Sequence, residues 1–213
     1  MILSKRELLI GVFSELNAKH IEYIVLRKHD YIPNRISFID DLDLICKRSQ
    51  RKEIKNIFSD LKYKFHEDSS ITNTYLYGAF PHDHFRSLNY DLHIDVVYQL
   101  AYRSTNNREW IPAHENLQKG IWDRKIETDS FWKYKSSDLD ELVHIISHCI
   151  LDKRKVDEYY KKRIEILNKS VDTNELKGNL ELLFFKYSSE IISQINNTSL
   201  QSLFDNYLTF KDY

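Results

Sequence analysis

The chain has 213 residues, of which 42% are hydrophobic and 30% are charged, and its formal net charge is −1. This composition is typical of one large or two small globular domains, and the near-neutral charge argues against bulk nucleic-acid binding. The four glycines are widely separated, which excludes a Walker P-loop and a Rossmann glycine fingerprint. There is no membrane-span candidate and no signal-peptide pattern, so we expect a cytoplasmic protein whose Cys46 and Cys149 are buried thiols.

The first half of the chain shows one helical pattern followed by several strand patterns. A capping box at Ser4 and Glu7 opens a helix predicted over Ser4–Lys19. The further elements predicted here are a strand at Ile21–Leu26, a strand from about Asp40, a helix capped by Ser49, and strands at Tyr63–His66, Thr72–Phe80 and Tyr90–Tyr98. A loop is predicted at Pro81–Arg86. The order αββαβββ indicates a core with a mixed sheet.

The second half is predicted to be helical after an aromatic-rich stretch. Residues 101–136 carry three tryptophans and are expected to pack on the core as a connecting segment. A capping-box-like sequence at Ser137 opens a long helix. Further helices are predicted at Val156–Leu167, Glu175–Ser193 and Ser199–Leu208. The sequence thus predicts an α+β fold, with a core at 1–100 and an all-helical domain at 137–213.

The strongest functional signal is an acid pair at the start of the second predicted strand. Side chains alternate along a strand, so Asp41 and Asp43 share one face while the apolar residues that follow enter the core. Asp95 lies in a later apolar strand, where an acid needs a partner or a cleft. Because Mg²⁺ prefers carboxylate and phosphate oxygens, the sequence predicts that Asp41, Asp43 and Asp95 form a metal site.

The segment from Tyr23 to Arg27, the run Asp41-Leu42-Asp43-Leu44-Ile45 and the later Asp95 strand carry a family resemblance. They resemble the nucleotidyltransferase superfamily with the DNA polymerase β-type fold. More narrowly, they resemble bacterial nucleotidyltransferase-like proteins often encoded among surface-polysaccharide genes.

The resemblance implies a mixed-sheet nucleotidyltransferase core and a transferase that uses an NTP as substrate. It implies that Asp41 and Asp43 hold Mg²⁺ or Mn²⁺ on the nucleotide phosphates and that Asp95 helps to activate the attacking hydroxyl. The enzyme would move a nucleoside monophosphate to a hydroxyl of a small molecule, a sugar or a protein, and the acceptor stays unidentified.

The sequence departs from this superfamily after the first strand. The superfamily places Gly-Ser there to contact the triphosphate, whereas this chain has Leu26-Arg27-Lys28-His29. Arg27 and Lys28 are predicted to contact the phosphates as side-chain cations, or else to face solvent and neutralise the acids. His93 is predicted to share a face with Asp91 and Asp95 and to orient the acid or contact the substrate.

Two other polar groups have competing interpretations. His82, Asp83 and His84 are spaced as metal ligands, but a solvated turn is the preferred interpretation. A second group forms one stripe of the long helix, which is predicted to be a solvated polar face rather than a site lining. Its members are Glu141, His144, His148 and Asp152.

Two other functions remain open beside nucleotidyl transfer. A metal-dependent glycosyltransferase also uses an Asp-x-Asp pair, although its apolar strand is expected before the acids rather than after them. A non-catalytic binding protein that retains the fold is the second alternative, and the missing Gly-Ser favours it.

Overall fold

The computed structural model describes residues 4–39, 41–67, 74–87, 92–197 and 199–212. The chain divides into two compact units. The first unit comprises Met1–Leu100 and Lys125–Ser136, and the second comprises Ala101–Arg124 and Ser137–Tyr213. The three-part domain division predicted from the sequence stays a prediction.

The described strands lie between residues 23 and 135, and five of the described α-helices follow residue 137. The strands are β1 (Tyr23–Val25), β2 (Asp41–Cys46), β3 (Tyr63–Glu67), β4 (Asp83–Ser87), β5 (His93–Val97), β6 (Ala101–Arg103), β7 (Trp110–Pro112), β8 (Ile126–Glu127) and β9 (Tyr134–Lys135). The helices are α1 (Lys5–Ala18), α2 (Arg51–Asp60), α3 (Glu115–Asp123), α4 (Asp138–Ser147), α5 (Glu158–Leu167), α6 (Thr173–Phe184), α7 (Tyr187–Asn196) and α8 (Leu203–Thr209).

The first unit is built on a mixed sheet. Among the described residues the sheet has seven strands in the order β3-β4-β5-β2-β1-β9-β8. β2 runs parallel to β5 and antiparallel to β1, while β4 is antiparallel to both β3 and β5. One face of the sheet is apolar, with Leu42, Leu44, Ile94 and Val96 all fully buried. This face belongs to one core cluster with the buried side chains of α1 and α2.

The two helices of this unit begin differently. The predicted capping box of α1 is confirmed, because the Ser4 hydroxyl accepts from the Glu7 N–H while the Glu7 carboxylate accepts from the Ser4 N–H. The predicted cap of α2 is wrong, since Ser49 lies within a 3₁₀ turn at Arg48–Gln50. Gln50 is the N-cap instead and its side chain caps no backbone N–H.

The strand predicted at Thr72–Phe80 is wrong where the structure describes it. Residues 74–80 contain one isolated bridge and a turn, while residues 72 and 73 lie outside the described residues. The strand instead occupies Asp83–Ser87, which overlaps the predicted loop Pro81–Arg86. Pairing on both sides, with β3 and with β5, holds this segment extended despite its polar residues. The order αββαβββ is nevertheless kept.

The C-terminal part is helical, as predicted. α4 opens at Ser137, whose hydroxyl accepts from the Asp140 N–H, and continues into a π-helical segment at His148–Lys153. The single helix predicted over Glu175–Ser193 is wrong, because α6 and α7 are separated at Phe185. Phe185 has φ 49° and ψ −131°, a positive-φ conformation outside the helical regions, which interrupts the helix.

Both cysteines are buried thiols outside any disulfide, as predicted. Burial raises the pKa of the Cys46 thiol well above its usual range, so this thiol stays protonated at neutral pH. Within the part of the chain that the structure describes, no helix is long and apolar enough to cross a membrane.

Candidate active site

The face of the sheet opposite the core carries a group of polar side chains. The register of four neighbouring strands brings these side chains next to one another. Residues that lie opposite each other in paired strands project from the same face. A first row crosses the strands β3, β4, β5 and β2 with His66, His84, Asp95 and Asp43. A second row crosses the same strands with Lys64, Arg86, His93 and Asp41. We call these eight residues the polar face.

The three acids predicted as metal ligands come together on the polar face. Asp43 lies opposite Asp95 in the parallel pair of β2 and β5, and Asp41 precedes Asp43 on the same face. One carboxylate oxygen from each of the three lies within 4.8 Å of the other two. Asp43 is buried, whereas the side chains of Asp41 and Asp95 are 31% and 22% exposed. The cluster is therefore accessible from its Asp41 and Asp95 side.

The two predicted phosphate contacts lie against these acids. Arg27 makes a bidentate ion pair with Asp43, with Nε–Oδ2 and Nη2–Oδ1 distances of 2.6 and 3.0 Å. Its Nη2 atom also lies 3.6 Å from Asp41 Oδ2. Lys28 Nζ donates to Asp41 Oδ1. The cations thus neutralise two of the three carboxylates.

Backbone hydrogen bonds fix the end of β1 from which Arg27 projects. The Leu26 N–H donates to the Asp43 carbonyl at 3.0 Å, and the fully buried Ser136 donates its hydroxyl to the Leu26 carbonyl at 2.9 Å. Lys28 then adopts a left-handed conformation, with φ 60° and ψ 12°. This conformation favours glycine and costs other residues about 1–2 kcal/mol. The loop therefore has a backbone suited to glycine at a position where the sequence has lysine.

Two histidines surround the third acid. His84 Nδ1 lies 2.5 Å from Asp95 Oδ1, and His93 Nε2 lies 3.1 Å from the same oxygen. The register explains both contacts, since His84 is opposite Asp95 across the β4–β5 pair and His93 precedes it by two residues. The predicted position of His93 beside Asp95 is confirmed by this geometry. Asp91 lies outside the described residues.

Four members of the polar face were not predicted as site residues. His84 and Arg86 were assigned to a loop, and Lys64 and His66 were given no site role. The signal was present as alternation, because Phe65 and Phe85 separate these polar pairs within β3 and β4. The polar character of the segment after Pro81 concealed the strand.

The predicted group of His82, Asp83 and His84 is not a ligand set and is not a solvated turn. Asp83 and His84 are consecutive in β4 and project from opposite faces. Asp83 is fully buried and accepts from Arg51 Nε at 2.8 Å and from the Tyr98 hydroxyl at 2.7 Å. Burial is the main cause that raises the pKa of Tyr98 well above its usual range, and the hydrogen bond to Asp83 raises it further. Asp83 therefore supports the core side of the sheet.

The stripe on the long helix is not the solvated face that the sequence predicted. Glu141 is fully buried and forms a bidentate pair with Arg163, with Nη2–Oε2 at 2.5 Å. His148, also buried, has its Nδ1 atom 3.0 Å from Asp152 Oδ2. His144 contacts the Tyr102 hydroxyl through Nδ1 at 3.1 Å. These side chains are paired within the second unit.

The donor set on the polar face fits a divalent cation. Three carboxylates face two permanent cations, so the cluster keeps a negative charge when its histidines are neutral. Carboxylate oxygens are also the protein ligands that Mg²⁺ prefers. Asp41, Asp43 and Asp95 are therefore the residues that would hold such an ion.

Comparisons with known proteins identify the fold. No protein-family model matches the sequence, and no curated protein matches it either. The solution structure of the antibiotic-resistance factor ANT(2'')-Ia matches with a TM-score of 0.56 and 10% identity, over 90% of this chain and 97% of that chain. The crystal structure of ANT(2'')-Ia with adenylyl-2''-tobramycin matches with a TM-score of 0.54 and 9% identity, over 92% and 99%.

This level of identity shows a shared fold and leaves the activity to be argued from the site. The likeness confirms the predicted α+β class and agrees with the resemblance to nucleotidyltransferases. The chain therefore shares the fold of ANT(2'')-Ia, with a mixed sheet followed by a helical C-terminal part.

Proposed function

We propose that this protein is a metal-dependent nucleotidyltransferase that moves a nucleoside monophosphate from an NTP to a hydroxyl. The observation that carries the proposal is the convergence of three carboxylates, within 4.8 Å of one another, on adjacent strands of this fold. Like charges repel at such distances, so a cluster of this kind is stabilised by a cation. The fold shared with ANT(2'')-Ia, which has been crystallised with adenylyl-2''-tobramycin, supports the same reaction class.

The roles proposed for the acids follow from their positions. Asp41, Asp43 and Asp95 would hold Mg²⁺ or Mn²⁺, which supplies Lewis-acid polarisation of phosphate oxygens. Asp95, more exposed than Asp43, would also accept the proton of the attacking hydroxyl. The hydroxyl oxygen bonds to the α-phosphorus, the bond from that phosphorus to the bridging oxygen breaks, and pyrophosphate leaves.

Arg27 and Lys28 are proposed to bind the triphosphate in place of the missing Gly-Ser. Both side chains lie against the acids that would hold the metal, so they are within reach of phosphates bound there. Guanidinium and ammonium groups form strong charge-assisted bonds with phosphate. His93 is proposed to orient Asp95 or contact the substrate, since its Nε2 atom lies 3.1 Å from that carboxylate.

Turnover of labelled NTPs tests this proposal. The protein is incubated with Mg²⁺, each of the four NTPs labelled at the α-phosphate, and a panel of sugar, aminoglycoside and protein acceptors. We expect Mg²⁺-dependent pyrophosphate release with transfer of the label to one acceptor class. Asp43→Asn should lower the rate at least about a hundredfold, the equivalent of about 2.7 kcal/mol.

The exposed Asp60 gives a charge-matched control, since Asp60→Asn removes a carboxylate of the same unit away from the polar face. That variant should react like the wild type. Equal rates for Asp43→Asn and the wild type would overturn the proposal.

A second function is favoured by the ion pairs themselves. Arg27 occupies both oxygens of Asp43 and Lys28 occupies one oxygen of Asp41, which is how a protein neutralises acids without a metal. The alternative is therefore a non-catalytic protein that binds nucleotide through the same face. NTP binding without pyrophosphate release from any acceptor mixture identifies this alternative.

The biological setting belongs to the proposal as well. We also propose cytoplasmic residence, as expected from the composition and patterns of the sequence, and a role in surface-polysaccharide synthesis, which the family resemblance implies. A sugar acceptor is the class that this role predicts. Label transfer to a sugar in the acceptor panel supports it, and transfer to proteins alone contradicts it.

A further inference from the structure

We propose that His84, His93 and Asp95 form a second metal site, which takes a divalent transition ion of the Zn²⁺ and Co²⁺ class. Imidazole nitrogen is a preferred ligand of these ions, whereas Mg²⁺ prefers oxygen. The proposal depends on the strand register and does not require nucleotidyl transfer. It assigns the two histidines a function distinct from that of the carboxylate cluster.

The strands bring the three ligands together without a flexible loop. His84 lies directly opposite Asp95 in the antiparallel β4–β5 pair, and His93 and Asp95 are two residues apart on one face of β5. One ligand atom from each residue lies within 4.8 Å of the other two. Zn²⁺ bonds at about 2.0–2.2 Å, so it spans ligand atoms up to about 4 Å apart. Small side-chain adjustments therefore suffice for coordination.

The present contacts place both imidazoles on one oxygen. Asp95 Oδ1 lies 2.5 Å from His84 Nδ1 and 3.1 Å from His93 Nε2. Two imidazole nitrogens aimed at one carboxylate oxygen need a cation or two N–H donors between them. A divalent ion satisfies all three ligand atoms at once. With three protein ligands it also keeps an open coordination position, as catalytic zinc sites do.

Exposure makes the site accessible to an ion. The side chains of His84, His93 and Asp95 are 21%, 39% and 22% exposed, which permits entry from solvent. Asp95 belongs to both the carboxylate cluster and the histidine cluster. A transition ion bound to the histidines and a hard ion bound to the acids would thus share one carboxylate.

Cobalt spectroscopy and zinc calorimetry on the full-length protein test this site. Mg²⁺ is present in excess so that it occupies the carboxylate cluster. We expect one equivalent of Co²⁺ to give the intense visible absorption of a four- or five-coordinate site with nitrogen ligands. His84→Gln and His93→Gln should each weaken Zn²⁺ binding at least tenfold, since even second-shell changes cost about 10–100-fold.

The exposed His20 gives a control in the same unit, because replacing it also removes one histidine from the protein. Because His20 has a φ of 53°, His20→Asn keeps a residue that tolerates this conformation, and its Zn²⁺ affinity should equal that of the wild type. Asp43→Asn separates this site from the proposed function, since it should abolish Mg²⁺-dependent turnover while the Co²⁺ spectrum persists. Unchanged Zn²⁺ affinity in both histidine variants would overturn the proposal and leave the histidines as hydrogen-bond partners of Asp95.

Discussion

The buried acids of the second unit and the acids of the polar face are neutralised in different ways. In the second unit each buried acid has its own arginine: Arg163 pairs with Glu141, and Arg124 pairs with Asp140 at 2.5 and 3.1 Å. In the first unit three carboxylates converge on one end of the polar face and share two cations. In the second unit each of these acids is neutralised by its own arginine, whereas on the polar face three acids share two cations.

The difference distinguishes structural acids from a candidate site. A one-to-one pair satisfies the buried carboxylate and needs no further ligand. A cluster adds repulsion between its members, which a bound cation relieves. We therefore expect substitutions in the second unit to affect folding, and substitutions on the polar face to affect ligand binding.

The largest effect on stability is expected from Glu141→Ala. It leaves the largely buried Arg163 without its partner, and breaking a buried pair costs about 3–5 kcal/mol. Urea unfolding measures the loss. A double variant, Glu141→Leu with Arg163→Met, removes both charges and should recover most of the stability. A loss of unfolding free energy below about 1 kcal/mol for the single variant would contradict the structural role assigned to the buried acids of the second unit.

A smaller loss is expected from Arg27→Met, which breaks the pair with Asp43. We expect about 1.5–3 kcal/mol, the value of a hydrogen bond to a charged group, because Asp43 stays beside the accessible acid cluster. Millimolar Mg²⁺ should restore part of this stability, since an ion that binds only the folded state raises its stability by mass action. Urea unfolding with Mg²⁺ or with a chelator measures the recovery.

The exposed Arg35 supplies the control, since Arg35→Met removes a cation of the same unit that is neither a member of the polar face nor one of its two ion-pair partners Arg27 and Lys28. Its stability should not respond to Mg²⁺ more than that of the wild type. An Arg27→Met variant that Mg²⁺ fails to stabilise would indicate that the acids do not hold a metal.

NTP affinity of the Arg27→Met variant distinguishes the two proposed roles of Arg27. A loss of about 10–100-fold supports phosphate binding, and a gain supports a counter-ion role.

The smallest effect is expected at the exposed capping box of α1. The N–H and hydroxyl of Ser4 donate to the Glu7 carboxylate and lower its pKa. A lowered pKa in the folded state contributes stability above the pKa of the unfolded chain, and this contribution is lost as the pH falls. Glu7→Gln should therefore reduce the loss of stability between pH 7 and pH 3. An identical pH dependence of unfolding in variant and wild type would contradict this.

The acid cluster could be predicted from the sequence because local alternation defines it. Asp41 and Asp43 precede an apolar run, and Asp95 interrupts another, so strand geometry alone places them on polar faces. The prediction that Asp95 joins this pair required the two strands to lie side by side, and the parallel pairing of β2 with β5 fulfils that requirement. The roles of these acids stay proposals.

The missed parts depend on contacts between distant residues. β4 is held by strands on both sides, and its local alternation around Phe85 does not show that His84 lies opposite Asp95. The buried state of Glu141 depends on Arg163, which lies 22 residues later on another helix. A helical pattern shows which residues share a stripe, but it does not show whether an arginine of a neighbouring helix covers that stripe.

Calorimetric titration with an NTP tests the central claim, that the carboxylate cluster binds a metal-bound nucleotide, most directly. The wild type should bind the NTP only when Mg²⁺ is present, and it should bind the corresponding nucleoside at least about tenfold more weakly, a difference of about 1.4 kcal/mol. Asp43→Asn should abolish this binding and Asp60→Asn should preserve it. Equal NTP affinity with and without Mg²⁺, or an unchanged affinity in Asp43→Asn, would contradict the account.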